Sequence, residues 1–342
     1  MVKLRFDKNI CYSCESVDCL VKCQYLQLNI ETARIEKLKI LKGEDTFILT
    51  ECITCYACEE YCLKRNHPFF QIVELQEDKG LYTAPRPITH QQIKMTSPKG
   101  RFEVKQPLTK PAISLCVFPD MMKKIDGPLF QRGTSFLGGD FFCNLVFLHF
   151  AKMSIVKERL PKVIETISNH LKKNCLDELI CFHDECYAGF TCWATAYEIP
   201  VPFKPIHLFH FLSQRLEALK SSVKTLNQKV AYQRPCSSRL IPETQYLTDK
   251  VFSLIGVERV QRKYDRDSSL CCGSILRMMG RDDLADDIQE RNVSDMVNAG
   301  AKYCVFNCPM CYYTLSEKVS KEGILPVMMV DLCHYALTEG KT

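Results

Sequence analysis

Five cysteines in the last third of the chain constrain its fold more than any other feature. Cys236 stands alone, Cys271-Cys272 is followed by Gly273, and Cys308-Pro309-Met310-Cys311 closes the set. Adjacent cysteines do not readily form an unstrained disulfide with each other. The glycine lets the backbone bend close to whatever the sulfurs hold. The layout is that of a metal-cluster site, and the rest of the chain is read around it.

The chain has 342 residues and 21 cysteines, an odd number gathered mostly in short-range packets. That pattern argues against a complete disulfide framework and for metal binding in a reducing compartment. The opening Met1-Val2-Lys3-Leu4-Arg5-Phe6-Asp7 lacks an apolar export core. A cytoplasmic location is therefore expected, with peripheral association with a membrane complex as the variant. The longest apolar run, Phe141 to Ala151, is interrupted by Asn144 and His149 and is far shorter than the ~20 residues of a membrane span. A net charge of +5, with acids scattered among the bases, argues against nucleic acid as the partner.

Residues 1–80 hold eight cysteines in two packets, Cys11-x2-Cys14-x4-Cys19-x3-Cys23 and Cys52-x2-Cys55-x2-Cys58-x3-Cys62. The second has the ferredoxin spacing in which three thiolates wrap one cubane and the fourth reaches the other. By that logic Cys11, Cys14, Cys19 and Cys62 hold one [4Fe-4S] cubane, and Cys52, Cys55, Cys58 and Cys23 hold the second. Gln24 and Leu63 replace the usual proline, and the first packet has a longer loop, but no ligand is lost. Four thiolates also suit zinc, which keeps a pair of zinc knuckles as the alternative. Between the packets, Leu26–Ile30, Lys37–Gly43 and Thr46–Leu49 read as short strands, favouring an α+β ferredoxin-like module over a mostly helical one.

Pro68–Leu75 reads as an amphipathic helix opened by proline. Residues 81–111 read as a connector carrying Pro85, Pro87, Pro98, Pro107 and Pro111. Its Lys94, Lys99, Arg101, Lys105 and Lys110 form either a docking surface for an acidic partner or a plain solvated segment.

From residue 112 strand and helix alternate, which predicts α/β architecture with parallel sheet. Strands are expected at Ala112–Phe118, Asp177–Phe182, Lys229–Gln233 and Lys302–Phe306. Helices are expected at Pro161–Lys172, with proline in the first turn, at Thr244–Leu254, and at Ile275–Asn298, weakened at Gly280.

The region is also duplicated. Leu179–Cys186 lies over Cys304–Cys311, so that His183 takes the place of Cys308 and Cys186 that of Cys311. Cys143 answers Cys271-Cys272, and Cys116 answers Cys236. Domains are thus expected at 112–228 (degenerate) and 229–342 (intact). Cys116, Cys143, His183 and Cys186 suit zinc or an additional cluster, with a vacant remnant as the other reading. Cys175, Cys181, Cys192, Cys304 and Cys333 read as packing thiols.

The pattern Cys236…Cys271-Cys272-Gly273…Cys308-x2-Cys311 resembles the CCG domain of heterodisulfide reductase catalytic subunits. Two cubane motifs joined to a duplicated CCG region resemble the D subunit of that enzyme and the iron-sulfur subunit of class II benzoyl-CoA reductase complexes. The resemblance implies a noncubane [4Fe-4S] cluster at Cys236, Cys271, Cys272, Cys308 and Cys311, with Gly273 beside it. Disulfide-cleaving members use two such motifs, and this chain keeps one intact. The expectation is an electron-transfer subunit of an anaerobic redox complex, with flavoprotein, iron-sulfur or acyl-CoA reductase partners. No glycine-rich phosphate loop is present, so no nucleotide or flavin is expected on this chain. The alternatives are a heterodisulfide-reductase-like thiol/disulfide oxidoreductase and a zinc-bound scaffold without redox role.

Overall fold

Short parallel strands in two sheets carry the larger part of the molecule. The computed structural model describes residues 4–81, 84–95, 110–131, 133–137 and 139–338. β1 (Ala112–Cys116), β2 (Thr134–Leu137), β3 (Glu178–Cys181) and β4 (Lys204–His207) form one sheet in the order β2-β1-β3-β4. β5 (Lys229–Gln233), β6 (Glu258–Arg259), β7 (Tyr303–Phe306) and β8 (Leu325–Met328) form the other, in the order β6-β5-β7-β8. Every pairing is parallel. Counted within each half the two orders are identical, so the duplication extends from the cysteines to the topology. All five residues of β1 are buried, as are the last four of β5, because helical crossovers cover parallel sheets on both faces.

The halves share one hydrophobic core and are stitched by a buried polar centre. The Asp184 carboxylate accepts hydrogen bonds from Ser238 Oγ (2.8 Å) and Asn307 Nδ2 (3.2 Å), both from the second half, and pairs with His207 Nε2 at 2.7 Å. Burial opposes the charge on Asp184, but these partners outweigh it and hold the carboxyl below its ordinary range.

Residues 4–81 are built from helices among the described residues, and the expected strands are corrected accordingly. Lys37–Gly43 alternates locally, yet it belongs to the helix Ile30–Lys42, whose buried positions Ala33, Glu36, Lys37, Ile40 and Leu41 recur at helical spacing. Asn29 caps that helix by accepting from the Thr32 N–H at 2.8 Å, and Gly43 ends it at φ +71°. Leu26 lies in a turn, and Ile48 opens the short helix Ile48–Glu51. The module has its own small core of Val17, Leu20, Ala33, Ile40, Ile48, Leu49 and Ile72.

Three further expectations shift. The helix expected from Pro161 spans Met153–Lys173 and carries Pro161 in its interior, because its apolar stripe starts at Met153 and Val156, before the proline. The stretch from Ile275 to Asn298 is two helices, Ser274–Met278 and Asp282–Asn298, parted at Gly280 with φ +70°. The connector contains a helix, Arg86–Met95. Pro98, Lys99, Arg101, Lys105 and Pro107 lie outside the described residues. No helix among the described residues is long and apolar enough to cross a membrane.

The helical module docks on the second half through buried charge. Glu60 accepts from Arg234 Nη1 at 2.9 Å and also pairs with Arg239. All three side chains are almost fully buried. Tyr61 Oη donates to the Asp267 carbonyl at 2.8 Å, and Gln24 Nε2 to that of Ser268, also at 2.8 Å.

Candidate metal centres

Parallel α/β sheets place their functional loops beyond the carboxyl ends of the strands, and every cysteine of the duplicated motif lies there. Cys236 follows β5, Cys271-Cys272 lies in the loop after β6, and Cys308 follows β7. Cys308 is the N-cap of the helix Pro309–Lys321, and Cys311 lies in its first turn. Unpaired N–H groups at such a helix start favour thiolate. Gly273 holds φ +85°, and a Cβ there would come within 2.8 Å of Gln289 Nε2. That nitrogen donates to the Cys272 carbonyl, also at 2.8 Å. The glycine therefore allows Gln289 to pin the loop that carries two thiols.

The five thiols form a chain of neighbours. Cys236 interacts with Cys271, Cys271 with Cys272, Cys272 with Cys311, and Cys311 with Cys308. These contacts concentrate negative charge on Cys271 and Cys308 and push the other three thiols up. All five line a cavity of about 300 Å³ with a largely apolar remaining wall that includes Phe118, Phe142, Val146, Ile275 and Met278. A string of sulfurs around a cavity suits a polynuclear centre better than a single ion.

The first half is arranged differently. The sulfurs of Cys116, Cys143 and Cys186 all lie within 4.8 Å of one another and are buried. His183, their expected companion, is turned away: its ring lies opposite the Cys308 sulfur and 3.7 Å from Glu185. Burial disfavours its charge, but Cys308 and Glu185 overcome this and bring His183 up to about 10. The structure thus brings three of the four residues together and gives the fourth to the cavity of the second half.

Sequence reasoning missed other residues of this cavity. His149 and Glu185 both line it, 3.8 Å apart. Burial lowers His149 to about 4 and raises Glu185 to about 8. The only sequence signal for His149 was its interruption of an apolar run.

In the helical module, Cys23, Cys52, Cys55 and Cys58 line a second, small cavity together with Cys19, Tyr25 and Tyr56. Cys11, Cys14, Cys19 and Cys62 lie within electrostatic reach of one another. Tyrosines separate the second packet from the five-cysteine motif. Tyr25 Oη accepts from the Cys271 N–H at 3.0 Å, and the Tyr56 ring packs edge-on to His149 at 4.9 Å.

Against this geometry, a family model for the CCG cysteine-rich domain matches residues 230–316. The chain contains a CCG domain. The match runs from β5 into the helix after β7, with all five cysteines of the intact motif. The CCG domain and the clustered thiols fit the binding of iron-sulfur or other metal cofactors. No curated protein matches the chain. Among solved structures, a hypothetical protein from Helicobacter pylori is 12% identical with a TM-score of 0.53, covering 95% of this chain and 67% of that one, which shows a shared fold. Glutamate racemase RacE1 from Bacillus anthracis is 10% identical over 52% of this chain and 62% of its own, with a TM-score of 0.28, a likeness too slight to carry an argument.

Proposed function

We propose that the chain is an electron-transfer subunit of an anaerobic redox complex. It holds two cubane clusters in the helical module, on Cys11, Cys14, Cys19 and Cys62 and on Cys52, Cys55, Cys58 and Cys23, and a noncubane cluster on the CCG cysteines. Bound, these groups supply one-electron carriers, and their potentials follow from hydrogen bonds to sulfur and from burial. The observation that carries the reading is the position of Tyr25, which lines the cavity of the second packet and hydrogen-bonds the backbone of Cys271. The chain's own residues keep the two sites a single side chain apart. Tyr56 is fully buried there and Tyr25 partly so. Partner subunits carrying flavin or an acyl-CoA reductase site would complete the complex.

Anaerobic purification with iron and acid-labile sulfide analysis tests this reading. About twelve irons per chain are expected, and fewer than about eight overturn it, since two cubanes alone require that many. A second reading, a thiol/disulfide oxidoreductase at the CCG site, is favoured by the cavity that His149, His183 and Glu185 share with the five thiols. It predicts that a thiol substrate changes the paramagnetic spectrum of that site, and a silent spectrum excludes it.

A further inference from the structure

An open groove of about 390 Å³ lies at the seam between the helical module and the CCG half. The module contributes Lys22, Gln24 and Tyr61, and the CCG half contributes Lys263, Tyr264 and Arg291. Across the seam Gln24 and Tyr61 donate to the carbonyls of Ser268 and Asp267, and both hydrogen bonds stay exposed. Among the described residues three cations and no carboxylate line the groove.

The fold keeps that charge unspent. Asp295 is tied up elsewhere: its carboxylate accepts from the backbone N–H groups of Lys263 at 3.1 Å and Tyr264 at 2.8 Å, and pairs with buried Arg262 at 3.3 Å. Those bonds fix the backbone from which Lys263 and Tyr264 reach the groove. Lys263 Nζ lies 4.9 Å from the centre of the Tyr264 ring and has no carboxylate partner among the described residues. Lys22 pairs with Asp18 and Arg291 with Asp287, each at 2.7 Å and each four positions away in the chain. Surface pairs of this kind hold little energy, so an incoming carboxylate displaces them at small cost.

We propose that this groove is the docking site of a small acidic electron-carrier protein that exchanges electrons with the helical module. The inference rests on the electron-transfer reading above and names its partner. Lys22 and Gln24 flank Cys23, and Tyr61 precedes Cys62. A carrier seated in the groove therefore stands against the chain neighbours of one candidate ligand from each cubane set, which gives the electron a short path. Carboxylates of the carrier meet Lys22, Lys263 and Arg291, while Tyr61 and Tyr264 offer aromatic surface between them. Weak electron-transfer encounters are small, and complementary charge supplies their speed of association. The step moves one electron: the carrier's reduced centre loses it and the chain gains it, with no bond made or broken.

The test is anaerobic stopped-flow reduction of the full, iron-loaded chain by fully reduced flavodoxin, an acidic carrier, read as the appearance of the flavodoxin semiquinone. The wild-type second-order rate should fall about tenfold or more between low salt and about 0.3 M salt. Lys263 and Arg291 adjoin no candidate metal ligand in the chain. The double variant Lys263→Glu, Arg291→Glu should lose at least about tenfold of the low-salt rate and keep its iron. Lys162→Glu, an exposed change of the same sign on the helix Met153–Lys173, should stay within about twofold of wild type. Reduced methyl viologen, a small cation, should reduce the double variant at least as fast as wild type. A wild-type rate indifferent to salt overturns the inference, as does a double variant with full iron and the wild-type rate. An equal loss in Lys162→Glu assigns the effect to net charge and overturns the groove. Binding of ATP that the double variant abolishes, with the flavodoxin rate unchanged, overturns it in favour of a small anion. Failure of the electron-transfer reading appears separately, as low iron in wild type or no reduction by methyl viologen, and takes this inference with it.

Discussion

The hydroxyl of Tyr25, from the helical module, accepts a hydrogen bond from the backbone N–H of Cys271, in the CCG loop, at 3.0 Å. This joins residues 246 positions apart and makes the partition between two thiol sites a specific contact. Tyr25→Phe keeps the ring and removes the acceptor, leaving a buried N–H without a partner at a cost of about 1–3 kcal/mol. The urea midpoint of the cluster-loaded protein should fall accordingly with iron content unchanged. An unchanged midpoint would show that the bond contributes nothing.

Glu60 pairs with two buried arginines, Arg234 and Arg239. Removing one partner of a buried ion pair strands the other charge, typically at about 3–5 kcal/mol. Glu60→Ala should therefore destabilise the chain by that order and expose the junction between helical module and CCG domain to protease. Glu60→Gln, which retains hydrogen-bond acceptance, should fall between wild type and alanine. Equal behaviour of the two variants would assign the effect to lost packing and not to charge.

Gly273→Ala tests the loop that presents Cys271 and Cys272. An L-residue at φ +85° is strained by about 1–2 kcal/mol, and the new Cβ would meet Gln289 Nε2 at 2.8 Å. Gln289 would then release the Cys272 carbonyl. The expected result is loss of roughly a third of the iron, the share of one four-iron centre in three, with the cubane signals of the helical module preserved. Full iron retention would show that the loop tolerates a side chain.

Pro161 interrupts the hydrogen-bond ladder of the helix Met153–Lys173. Proline is about 3 kcal/mol less favourable than alanine within a helix. Pro161→Ala should raise the urea midpoint, by up to that amount, without altering metal content. A fall would mean that the bend at Pro161 is needed to lay the helix on the first sheet.

The parallel architecture of residues 112–338 was legible because its strands are short apolar runs separated by amphipathic helices, as at Lys229–Gln233, where expectation and structure coincide. The strands expected between the N-terminal packets were misread for a local reason. Lys37-Leu38-Lys39-Ile40 alternates over four residues, but the burial of Ala33, Glu36, Lys37, Ile40 and Leu41 has the period of a helix, visible only over the longer window. His149 was legible only as a polar interruption. Its role as neighbour of Tyr56 and Glu185 depends on loops distant in sequence meeting at the cavity.

The sequence by itself determined which thiols act in the same loop, since only two residues separate Cys308 from Cys311. It also determined the duplication, because matching cysteine packets follow matching strands. Tertiary structure alone decided which packets meet. Convergence of Cys116, Cys143 and Cys186 follows from strand order, which sets three loop ends side by side, and local spacing holds no record of that order. The same holds for His183: alignment placed it opposite Cys308 in the repeat, and only the packing of one half against the other placed the two side chains face to face in a shared cavity.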